Sequence, residues 1–397
     1  MSPNPSPLIP GSLKIFVQCL KKVPDPRSTR GQSHRFLTIF AIVLLGFLGT
    51  LAEIQRWAEQ QHPKLKTFLC FRKMTKKEKK KGKGKEKAVP QAITLARVLK
   101  KLSLEDLQKA FAEFLNAILQ DTTLVAAVDG KTAKQMKDAN GDPIHMVNDF
   151  AQTYKLHLAS WSVKGDKTNE PGCLKKHLGE LFEMFPCLQL LTGDAMFAQR
   201  PLLEAIREYK RDYLVQVKDN QGKVLEQMKR VFKDAPAKKP SYVKLSKKRT
   251  SRDTPSLCAK VGGRSSAKRI EHSRFRALLR LDTEIQREGK VSEETRYFMS
   301  SLDPNKVSPA QFQAYILGHW DVESLHWHKD RFYREDKHVL GDAVGEAWTI
   351  LTNMALSLTR LLWKGERTLK EIREKCRLNP ITEAGRLGFR NETCYPG

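Results

Sequence analysis

Three acidic residues frame the chemistry this chain could perform: Asp129 in LVAAVDGKT, Asp194 in LQLLTGDAM and Glu323 in HWDVESLHW. Both aspartates close short apolar runs that read as buried strands, and ligand sites in sheets of this type gather at strand ends. A carboxylate there costs free energy unless it is solvated, paired or bound to a cation. Acidic residues also end strands as turn formers or helix caps, so neither aspartate is decisive alone. Glu323 adds more. On one continuous helix from about Pro309 to about Glu335, each residue turns by about 100°, which sets Glu323 among Phe312, Ile316, His319, Trp320, His326 and Trp327. A glutamate in the middle of an apolar, aromatic face needs a partner. That partner is either a buried Lys or Arg, or a metal ion shared with the two aspartates.

Converging carboxylates on a basic protein fit metal-dependent phosphoryl chemistry. Hard oxygen ligands hold Mg2+ or Mn2+ and leave positions for water and phosphate oxygens. With two ions per site, one activates the attacking water or 3′-hydroxyl and the other stabilises the leaving oxygen. The charge agrees: 71 Lys and Arg oppose 44 Asp and Glu, a net +27. Such a surface attracts polyanions, nucleic acid first among them, although a ribosome-associated or membrane-surface protein would share the property. With 40% hydrophobic and 29% charged residues in 397, the chain is globular and has room for a real core. The seven cysteines are scattered with no C-x-x-C, which points away from a disulfide framework or zinc ribbon and fits a reducing compartment. No apolar signal-peptide core follows MSPNPSPLIPGSLK.

Certain elements must position these residues. Residues 12–62 read as helical, and the apolar run 36–52 contains Thr38, Gly46, Gly49 and Thr50 before the amphipathic EIQRWAEQQ. That pattern predicts a buried helix rather than a membrane span. The lysine-rich stretch 73–90 lacks an apolar face and reads as a solvated linker or arm. Residues 93–119 predict two helices with a capping signal at Ser103 to Asp106. From residue 122 the period changes. TTLVAAVD, IHMVNDFAQ and YKLHLASWSVKG predict three sequential strands, followed by CLKKHLGELFEMF (helix), CLQLLTGD (strand), PLLEAIREYK (helix) and DYLVQVKD (strand). Strands first, then alternation with helices, indicates a mixed sheet covered by helices. Residues 233–272 turn basic and irregular, then RFRALLRLDTEI and ETRYFMSSL predict two more strands, and a last helix lies within 342–363. The polar end of the chain reads as a loosely held tail.

Ordered blocks then make the sequence familiar: VPDPRSTRGQSHRF, AEIQRWAEQ, VAAVDGKT, IHMVNDFAQ, KTNE, LLTGDAMFAQ, DYLVQVKDNQ, RYFMSSL and HWDVESLHWHKDRFYRED. The chain resembles bacterial insertion-sequence transposases of the DDE superfamily, in the branch that includes the H-repeat-associated proteins. The resemblance implies an RNase H-like core, an α/β fold with a mixed five-stranded sheet flanked by helices, an N-terminal helical domain and an inserted strand-containing segment. The expected division is 1–72 helical domain, 73–92 basic linker, 93–120 helical connection, 121–364 catalytic domain with an insertion at about 233–300, and 365–397 tail. It assigns the two aspartates to Asp129 and Asp194 and the glutamate to Glu323, with Mg2+ or Mn2+ as cofactor. DNA-binding or supporting roles fall to Lys131, Lys218, Asn220, His319, Trp320, Lys329, Arg331 and Arg334. The implied activity is cleavage and strand transfer of an insertion sequence. Its setting would be the cytoplasm at the nucleoid, with transposon ends and target DNA as partners and a homodimer assembled on DNA.

Two departures stand out. Between the glutamate and LHW the chain is one residue shorter than the family pattern, and the usual Asn after the glutamate is missing. A one-residue deletion turns everything beyond it by about 100°. The arm at 73–87 is also unusual. These departures keep an alternative open, a degenerate or repurposed transposase that binds DNA without catalysis. A di-iron bundle, suggested by the Glu-x-x-His spacing at Glu59/His62 and Glu323/His326, conflicts with the strand-rich middle.

Overall fold

The computed structural model describes the chain except residues 1–11, 30–31, 47–48, 67, 70, 72–87, 120–121, 165–168, 234–241, 244–252, 261–274, 288–289, 363–368 and 390–397. The lysine-rich arm at 73–87 lies outside the described residues. So does most of the basic stretch 233–272.

The N-terminal part is helical: α1 (Ser12–Leu20), α2 (Phe36–Leu45), α3 (Leu51–Leu65), α4 (Ala92–Lys101) and α5 (Leu104–Ile118). The apolar run 36–52, expected as one buried helix, is divided between α2 and α3. Thr50 and Glu53 form a capping box, with Thr50 accepting from the Glu53 backbone and Glu53 from that of Thr50, which starts a new helix at Leu51. Among the described residues no helix is long and apolar enough to cross a membrane. Ser103 caps α5 by accepting from the Asp106 backbone at 3.2 Å. Phe16 of α1 packs against Phe111 and Phe114 of α5, with ring centroids 6.3 and 5.2 Å away.

The middle of the chain forms a mixed sheet. Its strands are β1 (Leu124–Lys137), β2 (Pro143–Ala151), β3 (Leu156–Ser162), β4 (Leu188–Gly193), β5 (Asp212–Val217), β6 (Tyr242–Val243), β7 (Asp253–Lys260), β8 (Ala277–Arg287) and β9 (Lys290–Ser300). The order is β3-β2-β1-β4-β5-β9-β8-β7-β6. Where a five-stranded sheet was expected, the described residues form one of nine strands: β3-β2-β1-β4-β5 make one half, and β9-β8-β7-β6 continue it at the β5 edge. Backbone pairing thus continues into a segment whose composition reads as irregular. β1 pairs antiparallel with β2 and parallel with β4, and β4 parallel with β5.

Helices cover both faces of the first half of the sheet. On one side lie α6 (Glu170–Met184) and α7 (Arg200–Glu208); on the other lie α9 (Pro309–His319), α10 (Asp321–Phe332) and α11 (Asp342–Leu362), with α8 (Gly222–Lys233) following β5. Leu124 to Val128 are buried because β1 has neighbours above and below. This explains a continuous apolar run in place of alternation.

Two expectations are corrected at the C-terminal end. The single helix from about Pro309 to about Glu335 is two helices, α9 and α10, separated at Trp320 (φ −68°, ψ −8°). The polar end of the chain is not a loose tail as far as residue 389. It forms α12 (Leu369–Leu378) and α13 (Pro380–Arg386), and Ile372, Cys376, Ala384, Leu387 and Phe389 are buried. α13 rests on α2 and α3. A few well-spaced apolar side chains suffice to dock two short helices, although average polarity hides them.

Candidate active site

The sheet register brings the two aspartates together. Val128 of β1 lies opposite Gly193 of β4, so Asp129 and Asp194 are the next residues along two adjacent parallel strands. Neighbouring strands run about 4.8 Å apart, and equivalent register positions put both side chains on one face. β4 stops there and β1 continues, paired with β2 through Asp129 opposite Asn148.

The chain turns sharply after β4. Asp194 accepts from the Met196 backbone at 2.9 Å and caps a short 3-10 turn, Ala195–Phe197. A Cβ on Gly193 would stand 2.8 Å from Cβ of Phe197, so the turn tolerates only glycine. Asn220 fixes the turn from the next loop, donating to the Ala195 carbonyl at 2.6 Å. Beside it the exposed Lys218 opposes the effect of burial, which raises the Asp194 carboxyl above its ordinary range.

Asp129 is the most perturbed acid of the site. Burial first, then the charges of Glu170, Asp194 and Glu323, push its carboxyl up to about 7, against a 2.9 Å hydrogen bond from the Gly130 backbone. His326 Nδ1 approaches Asp129 Oδ2 to 3.5 Å. Burial, with Lys329 and Lys131 nearby, holds His326 down to about 3. The imidazole is therefore neutral near pH 7, and this contact is not an ion pair.

Glu323 stands in the first turn of α10 and is exposed, which corrects its placement on a buried face. The break at Trp320 resets the helical phase, so angles carried across it do not hold. No buried Lys or Arg pairs with Glu323 among the described residues. The buried, ion-paired glutamate of this region is Glu335, 2.8 Å from Lys329, with both side chains 0% exposed. Lys329 is thereby a structural residue inside the fold and cannot touch DNA from there. Lys131 is nearly buried too. Its Nζ lies 2.8 and 2.9 Å from the Asp330 carboxylate, tying α10, which carries Glu323, to β1, which carries Asp129.

The remaining expected residues divide between support and surface. His319 Nδ1 lies 3.0 Å from the hydroxyl of Thr192, two residues before Asp194, and burial lowers its pKa to about 4. Gln152 donates to the same hydroxyl at 2.7 Å and to the Tyr315 carbonyl at 3.2 Å. A Cβ on Gly318 would meet Gln152 Oε1 at 2.5 Å, so glycine lets α9 sit this close to β4. Arg296 lies over the Trp320 ring at 4.6 Å, and the exposed Arg331 over Trp327 at 5.3 Å. Arg334 is exposed, with a left-handed backbone at φ 52°.

The sequence reading assigned no role to Glu170. It opens α6, and its Oε1 lies 2.8 Å from His145 Nε2. The KTNE block was the available signal, but a glutamate at a helix start reads equally well as a partner of the helix dipole. Four carboxylates of one neighbourhood thus act on each other with little compensation. All donors are hard oxygens, the set a divalent cation of the Mg2+ class takes. As the side chains stand, no three Asp, Glu, His or Cys groups among the described residues sit close enough to hold a metal ion. The donor chemistry of Asp129, Asp194 and Glu323 is that of such an ion.

Adjacent strand-end aspartates below a helix-borne glutamate, on a mixed sheet covered by helices, define a carboxylate-site α/β protein. Residues 121–358 match the transposase DDE domain family, and residues 17–115 the DDE_Tnp_1-associated family. The chain belongs to the transposase DDE domain family. It is 25% identical over 407 residues to "Putative transposase YncI" of Escherichia coli O157:H7, covering 96% of this chain and 98% of that one. It is 24% identical over 341 residues to "H repeat-associated putative transposase YhhI" of Escherichia coli K12, covering 82% and 84%. Among solved structures it aligns with the piggyBac transposase synaptic complex with hairpin DNA at 11% identity and a TM-score of 0.43, over 96% of this chain and 79% of that one.

Proposed function

We propose that this protein is a DNA transposase that cleaves DNA and transfers strands of an insertion sequence by metal-dependent phosphoryl transfer. The observation that carries the reading is the β1–β4 register, which makes Asp129 and Asp194 neighbours while Glu323 adds its charge to Asp129. Asp129, Asp194 and Glu323 would hold Mg2+ or Mn2+, two ions per site. Bound there, the ions would supply an activated water or 3′-hydroxyl and stabilise the leaving oxygen. The strand order β3-β2-β1-β4-β5 supports an RNase H-like core within 121–364, with the insertion at about 233–300 lengthening its sheet.

The chain's own residues have separable tasks in this scheme. Asn220 and the Gly193 turn orient Asp194, His319 and Gln152 brace the strand before it, and Lys131 keeps α10 against β1. Lys218, Arg331 and Arg334 are exposed and would neutralise phosphates, and Trp320, under Arg296, would support the site. Transposon ends and target DNA are the proposed partners, the assembly on DNA a homodimer, and the place of action the cytoplasm at the nucleoid. A second reading, DNA binding without catalysis, draws support from the exposed position of Glu323. Nicking of supercoiled DNA carrying candidate terminal repeats, with and without Mg2+, decides between the two. Metal-dependent nicks lost in Asp194→Asn support the enzyme, whereas tight binding with no nick supports the second reading.

A further inference from the structure

We infer that Lys155, in the turn between β2 and β3, is a positioning residue for cleavage: through Asp321 it fixes the start of α10 and with it the place of Glu323 relative to Asp129. The inference rests on the metal-dependent reading above and names the device that sets its third carboxylate. Glu323 stands exposed in the first turn of α10, and Trp320 ahead of that turn makes no side-chain cap. The start of the helix is held from outside.

The β2–β3 turn, residues 152–155, spans the junction of α9 and α10. At one end Gln152 donates to the Tyr315 carbonyl of α9 at 3.2 Å and lies against Gly318. At the other end Lys155 Nζ pairs with the carboxylate of Asp321, the first residue of α10. One short turn thus bridges the bend at Trp320. That turn is itself anchored. Lys155 adopts φ 58°, a left-handed conformation that costs free energy in any residue but glycine. Arg360 of α11 donates to its carbonyl at 2.5 Å and lies over the Phe150 ring of β2 at 5.5 Å.

Helical phase shows what the pair controls. Asp330 follows Glu323 by seven residues, about 700°, so the two lie within about 20° of each other on one stripe. Asp321 precedes Glu323 by two residues, about 200° away on the opposite side. Lys131 of β1 holds Asp330 and Lys155 holds Asp321, so the sheet grips α10 at both ends and on opposite sides. Lys131 alone would leave the first turn, where Glu323 lies, free to swing. Lys155 and Asp321 are 44% and 37% exposed, and a pair this exposed adds little stability. Its effect is geometric. An ordinary surface pair would not need an anchored left-handed turn behind it.

The test is single-turnover nicking of supercoiled DNA carrying candidate terminal repeats by the full chain in Mg2+. DNA affinity and melting temperature are measured on the same preparations. Lys155→Met and Asp321→Asn should each slow nicking per folded molecule by about tenfold or more, since a misplacement of about 1 Å can cost about 100-fold. DNA affinity and melting temperature should stay close to wild type. Lys155→Arg should restore most of the rate. The double variant should be no slower than the slower single variant, because both changes break one link. Lys109→Met, which removes an exposed pair with Glu105 on α5, should nick as wild type does. Nicking at the wild-type rate in both Lys155→Met and Asp321→Asn overturns the inference and leaves the metal-dependent reading standing. A loss that follows DNA affinity also overturns it, making Lys155 a phosphate contact, and a loss that follows melting temperature makes it a structural brace only. A wild-type chain that makes no Mg2+-dependent nick overturns both.

Discussion

Asp129→Asn exposes the electrostatic cost of the site, and its sign is unusual for a buried position. Burial and three neighbouring carboxylates raise the folded-state carboxyl from 3.8 to about 7, so the folded protein holds a proton that the unfolded chain has released. The contribution of this one carboxyl is therefore fully present below about pH 4 and is lost as pH rises to about 7. At about 1.4 kcal/mol per pH unit, that interval amounts to roughly 4 kcal/mol. The side chain is 27% exposed, and solvent screening reduces the figure to about 2–4 kcal/mol. Asparagine keeps the shape and the acceptor for Gly130 but never ionises. Without divalent metal at pH 8, Asp129→Asn should thus be more stable than wild type. Unfolding entropy of about 2.1 cal/mol/K per residue over 397 residues converts this to roughly 2–5 °C. At pH 4 the two proteins should melt together. Adding Mg2+ at pH 8 should raise the wild type and leave the variant unmoved. Calorimetry at pH 4 and pH 8, with chelator and then with metal, measures all four quantities. A variant that melts below wild type at pH 8, or a difference between the two proteins that does not widen from pH 4 to pH 8 without metal, would refute the reasoning.

Other consequences follow from the same structure. DNA affinity should fall steeply with salt, because +27 of net charge makes phosphate contacts dominant; a slope near zero in a log–log titration would rule this out. Glu323→Gln should abolish Mg2+-dependent cleavage while changing stability by less than about 0.5 kcal/mol, since the side chain is exposed; a large loss of stability with normal cleavage per folded molecule would mark a structural glutamate. Glu335→Gln should cost about 3–5 kcal/mol because it strands Lys329 in the interior, measurable by urea unfolding, and an unchanged midpoint would contradict the buried pair. Asn220→Ala should lower the cleavage rate with little change in DNA affinity, as the Asp194 turn loses its brace; an equal loss in both would place Asn220 on the DNA instead.

Much of this arrangement was legible in the sequence, and the gaps have physical causes. The strands from Leu124 to Val217 declare themselves because each is a short apolar or β-branched run between turn formers. Asp129 and Asp194 end two of those runs, and their pairing follows from register alone. Glu323 is helical as expected, but on the second of two helices and exposed. A helical wheel assumes unbroken phase, and the one local sign of the break, Gly318 in the last turn of α9, reads equally well as a glycine inside a continuing helix. The argument that a buried glutamate needs a cation was sound but belonged to Glu335, whose pairing with Lys329 depends on the left-handed turn at Arg334. The contact of Glu170 with Gly130 and His145 escaped notice because it joins separate elements, which no local pattern carries. β6 and β7 were missed because their support is backbone pairing with each other and with β8, which composition does not carry.

The central claim, that Asp129, Asp194 and Glu323 form one metal-dependent DNA-cleaving site, is tested most directly by a single-turnover nicking assay. Supercoiled DNA bearing the candidate terminal repeats is incubated with wild type, Asp129→Asn, Asp194→Asn and Glu323→Gln, in chelator or Mg2+. The account predicts nicks from wild type in Mg2+ only, none from any variant, and salt-sensitive DNA binding retained by all four proteins. Wild-type nicking that persists in chelator, or that survives unchanged in Asp129→Asn, would contradict it.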